Sequence, residues 1–217
     1  MNIDSIIFDL DGTLWDSTQA VLKAWDMVFE NNDDIKNPIT KEVLESCMGL
    51  QIQEIGSKLF PYLEEAEQTK ILDICCEEER KLLLKKGGML YKDLEGTLQT
   101  LSKSYPLFIV SNCQCGYIET FLEYHKLGKY FKDFECAGNT RLVKGENIKS
   151  VIMRNNLKQP VYVGDTQGDR DAAKLANIPF VFASYGFGKV DRYDYVIEEV
   201  SDIVKLLECN NKAVVHH

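Results

Sequence analysis

Short apolar runs punctuate this chain at Ser5–Asp9, Leu107–Ser111, Val161–Gly164, Phe180–Ala183 and Tyr195–Ile197, with a weaker one near Phe134–Ala137. They have the character of strands buried on both faces, and helical periodicity fills most of the intervals between them. That order predicts a parallel sheet covered by helices on both sides, an α/β fold. The first run stands far from the rest. Residues from about 16 to 88 read as almost entirely helical: Val21, Leu22, Trp25, Val28 and Phe29 recur at helical spacing, and the charged stretch from Glu64 to Lys86 carries leucines, isoleucines and cysteines in the same rhythm. The pattern divides the chain into a core, 1–15 and 89–217, and a helical insertion, 16–88. Ser17 or Thr18 is expected to cap the first inserted helix, and Gly87-Gly88 to form the exit hinge. Trp15 and Trp25 are expected to pack inside the insertion.

At 217 residues and 45% hydrophobic composition the chain can bury a sizeable core. A formal charge of −9 and a pI near 4.9 argue against a nucleic-acid or anionic-membrane partner, both of which need a positive field. No apolar run reaches transmembrane length, and Met1-Asn2-Ile3-Asp4 lacks the basic and apolar regions of a signal peptide, so a cytoplasmic protein is expected, a monomer or weak homodimer. Seven cysteines, an odd number, fit reduced thiols. Cys113 and Cys115 have no second Cys or His pair to complete a zinc set, and Cys75 and Cys76 fall in a helical stretch. His125 also reads as helical and His216-His217 end the chain; none of the three histidines is assigned a role.

Ligands of an open parallel sheet sit beyond the carboxyl ends of its strands, so the residues that follow each apolar run should converge. The first run delivers Asp9 and Asp11, the second Ser111 and Asn112, and the third Asp165, with Asp169 a turn later. Lys144 lies between the last two, just before a helical stretch expected from Glu146. Each piece alone has a plainer reading. Asp-Gly between apolar runs signals a hairpin, Ser-Asn a turn, Asp169 a cap for a helix from Arg170, and a lone lysine a solvated surface. Together they fall in the order that one reaction requires. Several carboxylates in one crevice repel each other unless a cation is present, and oxygen ligands without histidine or thiol suit Mg2+. Thr13, Ser111, the backbone N–H groups after Asp9, and Lys144 could then hold a phosphate.

Asp9-Leu10-Asp11-Gly12-Thr13-Leu14, Ser111, Lys144 and Gly164-Asp165 through Asp169 resemble, in order, the four motifs of the haloacid dehalogenase superfamily of phosphotransferases. The resemblance implies a Rossmann-like core with an inserted helical cap. It makes Asp9 the nucleophile, Asp11 the general acid and base, and Lys144 the third motif's lysine. Mg2+ would be held by Asp9, the Asp11 backbone carbonyl and Asp165, with Asp169 orienting the site from behind. The glycines and aromatics of Tyr185-Gly186-Phe187-Gly188 and the run Met48-Gly49-Leu50 are similar to the phosphoglycolate phosphatase-like branch. Gly49 and Gln51 are expected to meet the substrate from the cap.

The expected activity is a Mg2+-dependent phosphatase of small phosphate monoesters. A mutase of the phosphoglucomutase type is similar in all four motifs but grips a second phosphate with a basic cap residue, which Cys47-Met48-Gly49-Leu50-Gln51 does not offer. A non-catalytic Mg2+- and phosphate-binding regulator would not need Asp11.

Overall fold

The computed structural model describes residues 3–32, 35, 36 and 38–212, with side chains to residue 208; His216-His217 lie outside the described residues. In chain order the elements are β1 (Ser5–Phe8), β2 (Trp15–Asp16), α1 (Thr18–Phe29), α2 (Lys41–Glu45), α3 (Ile52–Leu59), α4 (Glu65–Lys86), β3 (Met89–Leu90), α5 (Leu94–Leu101) and β4 (Leu107–Ser111). They continue with α6 (Tyr117–His125), β5 (Phe131–Cys136), α7 (Ala137–Thr140), α8 (Lys144–Arg154), β6 (Pro160–Gly164), α9 (Gln167–Leu175), β7 (Phe180–Ala183), β8 (Tyr195–Ile197) and α10 (Asp202–Lys212). Six strands form one parallel sheet in the order β5-β4-β1-β6-β7-β8.

The apolar runs are continuous because both faces of this sheet are covered. Ile6, Phe8, Ile109, Val161 and Val163 point to one side, into a cluster with Leu98 of α5, Phe121 of α6 and Ile203 of α10. Ile7, Phe108, Val110 and Tyr162 point to the other, against Ile148 and Val151 of α8 and Ala172 and Ala173 of α9. Successive residues of a strand alternate faces, so a two-sided core needs an apolar residue at every position. In the register, Phe8 lies beside both Ile109 and Val163, which brings the residues after β1, β4 and β6 to one end of the sheet.

β5 is longer than its apolar run, and the cause is visible at its edge. Asp133 and Glu135 interrupt the pattern, and Arg154 of α8 pairs with both, at 2.6 and 2.5 Å. An edge strand tolerates such charges at the margin of the sheet, where the α8 arginine meets them.

A separate apolar cluster contains Val21, Trp25, Leu44, Phe60, Leu72 and Cys75, all from the inserted segment. Two antiparallel residue pairs, Trp15 with Leu90 and Asp16 with Met89, join the chain where it leaves and re-enters the sheet region. Gly88 is required there, since a Cβ would stand 2.7 Å from the Trp15 ring and 3.0 Å from the Asp16 carbonyl oxygen. Trp15 departs from expectation. It is fully buried in the cluster beneath the sheet, edge-on to Tyr117 and Phe121 with ring centroids 5.6 and 5.0 Å away, while Trp25 packs within the insertion. The first inserted helix is also capped differently: Asp16 Oδ1 accepts from the Thr18 N–H (2.9 Å) and hydroxyl (2.6 Å), and the Ser17 hydroxyl is turned elsewhere. No helix among the described residues is long and apolar enough to cross a membrane.

Phe121 anchors α6 against Trp15 and through it the two-stranded ribbon. Replacing it with alanine is expected to cost about 3–5 kcal/mol of stability, read as a lower denaturant midpoint with the slope unchanged.

Candidate active site

The backbone of Asp9 continues the sheet for one residue beyond β1, donating to the Val163 carbonyl at 2.8 Å, and the chain then folds into a tight loop. The Leu10 carbonyl accepts from Thr13 and Leu14, and Gly12 donates to the Trp15 carbonyl, so these three N–H groups are engaged within the loop. The backbone donors that remain for an anion narrow to Leu10 and Asp11. Gly12 takes φ +80°, and a Cβ there would stand 2.2 Å from an Asp165 carboxylate oxygen, so the glycine both permits the turn and makes room for that carboxylate.

Lys144 is the first residue of α8, which begins two residues before the expected start. Its side chain is buried, with Nζ 2.8 Å from Asp9 Oδ1 and 2.6 Å from Asp169 Oδ1. The other oxygen of Asp169 accepts from the backbone N–H groups of Asp165 (3.1 Å) and Thr166 (2.9 Å) and from the Thr166 hydroxyl (2.7 Å). Thr166 returns the contact by accepting from the Asp169 N–H, a capping box that starts α9 at Gln167 and not at Arg170. Both Asp169 oxygens are therefore occupied by donors.

Asp165 is fully buried. Its Oδ2 accepts from the Phe187 N–H at 2.7 Å, and its Oδ1 has no partner. Four buried side-chain atoms among the described residues lack a hydrogen-bond partner, and three are Asp165 Oδ1, Thr13 Oγ1 and Asn112 Oδ1, all at this end of the sheet. Such a concentration points to a missing polar ligand. Oxygen atoms of Asp9, Asp165 and Asp169 lie within 4.8 Å of one another.

One ammonium cannot balance three carboxylates. Burial, then the charge of Asp169, pushes the Asp9 carboxyl up to about 7 against the pull of Lys144. Burial, then Asp169 and Asp9, likewise raises Asp165 far above the usual carboxylate range. Burial disfavours the Lys144 ammonium, but Asp169 and Asp9 raise its pKa and hold it charged. The surplus of negative charge, the all-oxygen donor set and the unpartnered Asp165 oxygen fit a hard divalent cation.

Asp11 stands apart from that cluster. Its Oδ1 accepts from the Trp15 indole N–H (2.9 Å), the Ser17 hydroxyl (2.7 Å) and the Tyr117 hydroxyl (3.0 Å). This explains why Ser17 does not cap α1. Burial raises the Asp11 carboxyl, opposed by these hydrogen bonds and by Lys144. Among the described residues no donor meets Oδ2.

A cavity of about 70 Å³ opens over these groups, lined from the sheet side by Asp9, Asp11, Ser111 and Asn112. Ser111 is buried, its hydroxyl accepting weakly from the Cys113 N–H at 3.4 Å. The Asn112 amide donates to the Gly49 carbonyl at 2.8 Å, so the inserted segment closes directly on the strand end. Gln51 is not brought into the cavity. Its N–H donates to Glu54 in the capping box of α3, and its amide reaches the Leu142 carbonyl at 3.3 Å.

Several residues at the site carry no local sequence signal. Trp15, Ser17 and Tyr117 converge on Asp11 only through the fold, whereas the Tyr185-Gly186-Phe187-Gly188 run noted in the sequence reaches the site from beyond β7, Phe187 donating to Asp165 and Tyr185 to the Thr13 carbonyl. Glu79 did leave a trace: Leu72, Cys75, Glu79 and Leu83 fall on one stripe of α4, which makes a carboxylate part of a buried face. It lines the cavity, accepting from the Trp25 indole N–H and the Gln114 amide at 2.7 Å each, and burial pushes it up to about 8.

The sequence profile of haloacid dehalogenase-like hydrolases matches residues 6–183. A phosphoglycolate phosphatase from Aquifex aeolicus is 27% identical, with the match covering 94% of this chain and 96% of that one. Among solved structures, a haloacid dehalogenase-like family hydrolase from Streptococcus pneumoniae superposes with a TM-score of 0.82 at 21% identity, covering 94% of this chain and 98% of the other. A beta-phosphoglucomutase from Clostridium difficile gives 0.78 at 17% identity over 99% and 100%. With the profile spanning most of the sheet and all the strand ends that build the site, the chain belongs to the haloacid dehalogenase-like hydrolase family and is a phosphohydrolase.

Proposed function

We propose that the chain is a Mg2+-dependent phosphatase that hydrolyses small phosphate monoesters through a phosphorylated Asp9. The observation that carries this reading is the pairing of two carboxylates with opposite surroundings on one short loop. Asp9 is pinned by Lys144 beside an unpartnered Asp165 oxygen, whereas Asp11 is held by three donors on one oxygen and leaves the other uncommitted.

Asp9, the Asp11 backbone carbonyl and Asp165 would hold the Mg2+, and Asp169, with both oxygens occupied, orients Lys144 and the start of α9 instead. When bound, Mg2+ supplies positive charge against the carboxylates and the phosphoryl oxygens. An Asp9 oxygen attacks phosphorus as the bond to the leaving alcohol breaks, while Asp11 Oδ2 gives that alcohol its proton. Asp11 then takes a proton from the water that attacks the phosphorus of the aspartyl phosphate, and inorganic phosphate leaves. Trp15, Ser17 and Tyr117 fix the carboxyl plane of Asp11 through both proton transfers. The Lys144 ammonium and the hydroxyls of Thr13 and Ser111 face the phosphoryl oxygens, and the Asn112 side chain joins this wall to the cap loop at Gly49.

The likeness to phosphoglycolate phosphatases supports a small phosphate monoester as substrate. A mutase needs a cation in the cap to hold a second phosphate, and among the described residues no Lys, Arg or His of the inserted segment lines the cavity.

Phosphate release from a panel of monoesters, including an aryl phosphate, is expected with Mg2+ and is expected to stop with chelator; release unaffected by chelator would contradict the metal's role. Asp9→Asn is expected to abolish turnover in a folded protein, which circular dichroism and the same assay check together. Asp11→Asn is expected to slow turnover by about 10²–10⁴-fold while calorimetry still shows Mg2+ binding, because its metal contact is a backbone oxygen.

A further inference from the structure

Glu79 takes no part in the steps above, yet it is a buried carboxylate in the wall of the reaction cavity. The part of that wall contributed by the insertion is otherwise apolar, with Trp25, Leu44, Met48, Leu50 and Ile55 facing the space beyond Asp9 and Asp11. The leaving group of a phosphate monoester held at Asp9 must occupy this space. Both Glu79 oxygens are fixed, Oε2 by the Trp25 indole N–H and Oε1 by the Gln114 amide, so the carboxylate cannot swing out to solvent. These donors are neutral, and no salt bridge to Glu79 occurs among the described residues. Arg80, the next residue, lines an adjoining cleft with Arg141 and Asp73, which shares Asn112, Gln114 and Tyr117 with the reaction cavity, and among the described residues it makes no ion pair with Glu79. Burial and the nearby charge of Asp11 both oppose ionisation of Glu79, the state expected of a carboxylate in an apolar wall without a counter-charge.

A buried charge without a partner is unfavourable, and a ligand that supplies the partner gains what the protein lacks. A ligand bearing a second anion meets the reverse: it loses its hydration against an apolar surface, finds no counter-charge there, and holds Glu79 in its neutral form. Resting on the phosphatase reading above, we infer that Glu79 is a specificity-determining residue that favours phosphate monoesters with an ammonium-bearing leaving group, accepts uncharged ones, and rejects those whose leaving group carries a carboxylate or a second phosphate. The selectivity thus departs from that expressed in the names of the relatives, whose substrate carries a carboxylate. Selectivity is built from the missing counter-charge for an anion as much as from the attraction that an ammonium meets when its binding ionises Glu79.

The test compares kcat/KM of the full Mg2+-loaded chain for three compact esters, ethanolamine phosphate, n-propyl phosphate and phosphoglycolate, with an aryl phosphate as reference. The expected order is ammonium, then neutral, then carboxylate, with about tenfold or more between the ends. In Glu79→Gln the ratio of the ammonium to the carboxylate ester is expected to fall by about tenfold. The ratio is the readout, because a merely structural role for Glu79 would lower all esters together and leave it unmoved. Preference of the wild-type chain for phosphoglycolate, or an unchanged ratio in the variant, would overturn the inference while leaving the phosphatase reading intact. If the variant does not fold, the wild-type order alone decides. Release from none of the esters, the aryl phosphate included, would overturn the phosphatase reading and this inference with it.

Discussion

Lys144 lies between Asp9 and Asp169 with all three side chains buried at the carboxyl end of the sheet, and this ion pair network sets the terms for everything around it. Removing one member of a buried network leaves an uncompensated charge, typically a loss of about 3–5 kcal/mol. The lysine therefore ties α8, β1 and α9 into one register at the point where chemistry is proposed to occur. The network is also incomplete by itself, because Asp165 adds a third carboxylate whose inward oxygen meets no donor. Gly12 and Gly186 leave the space that lets Asp165 approach this closely; a Cβ on either would stand 2.2 or 2.3 Å from its side chain. The fold stores an electrostatic deficit that a divalent cation is suited to offset.

The second organising contact is the set of donors on Asp11. Trp15 belongs to the two-stranded ribbon, Ser17 stands immediately before α1, and Tyr117 opens α6. The carboxylate proposed as acid and base is thus held by the same residues that connect the inserted helices to the sheet. On the opposite side, Asn112 grips the Gly49 carbonyl and Gln114 grips Glu79, so the insertion meets the strand ends through two further hydrogen bonds. The placement of the helical segment and the orientation of Asp11 are in this way tied together through neighbouring hydrogen bonds.

The strand ends were legible in the sequence because a parallel sheet covered on both faces demands unbroken apolar runs, and a run that stops abruptly in Asp, Ser or Gly-Asp announces the residue that leaves the sheet. Asp9, Ser111 and Asp165 were found that way, Asp169 from its place a turn after Asp165 and Lys144 from its place in the order before a helical stretch, and the structure brings them to one end of the sheet. Trp15 was misassigned because its neighbours continue into helical periodicity, whereas a ribbon of two residues per strand is too short to carry a period of its own. β5 was truncated because Arg154, far along the chain, neutralises the charges that break its pattern. The Asp11 network was invisible for a similar reason: Tyr117 reaches Asp11 across 106 residues, and no local pattern encodes that distance. Gln51 was drawn into the candidate site by its place in the cap loop, but a glutamine before a helix with glutamate three residues later satisfies a capping box first.

The central claim is that Asp9 carries the phosphoryl group between its two transfers. Mixing the Mg2+-loaded chain with a phosphate monoester that it turns over, quenching in acid within the first turnover and mapping the peptides by mass spectrometry tests it directly. The account predicts a phosphoryl adduct on the peptide containing Asp9, and on Asp9 within it, that disappears as phosphate is released. Phosphate released during that turnover with no adduct on Asp9, or with the adduct on another residue, would contradict it.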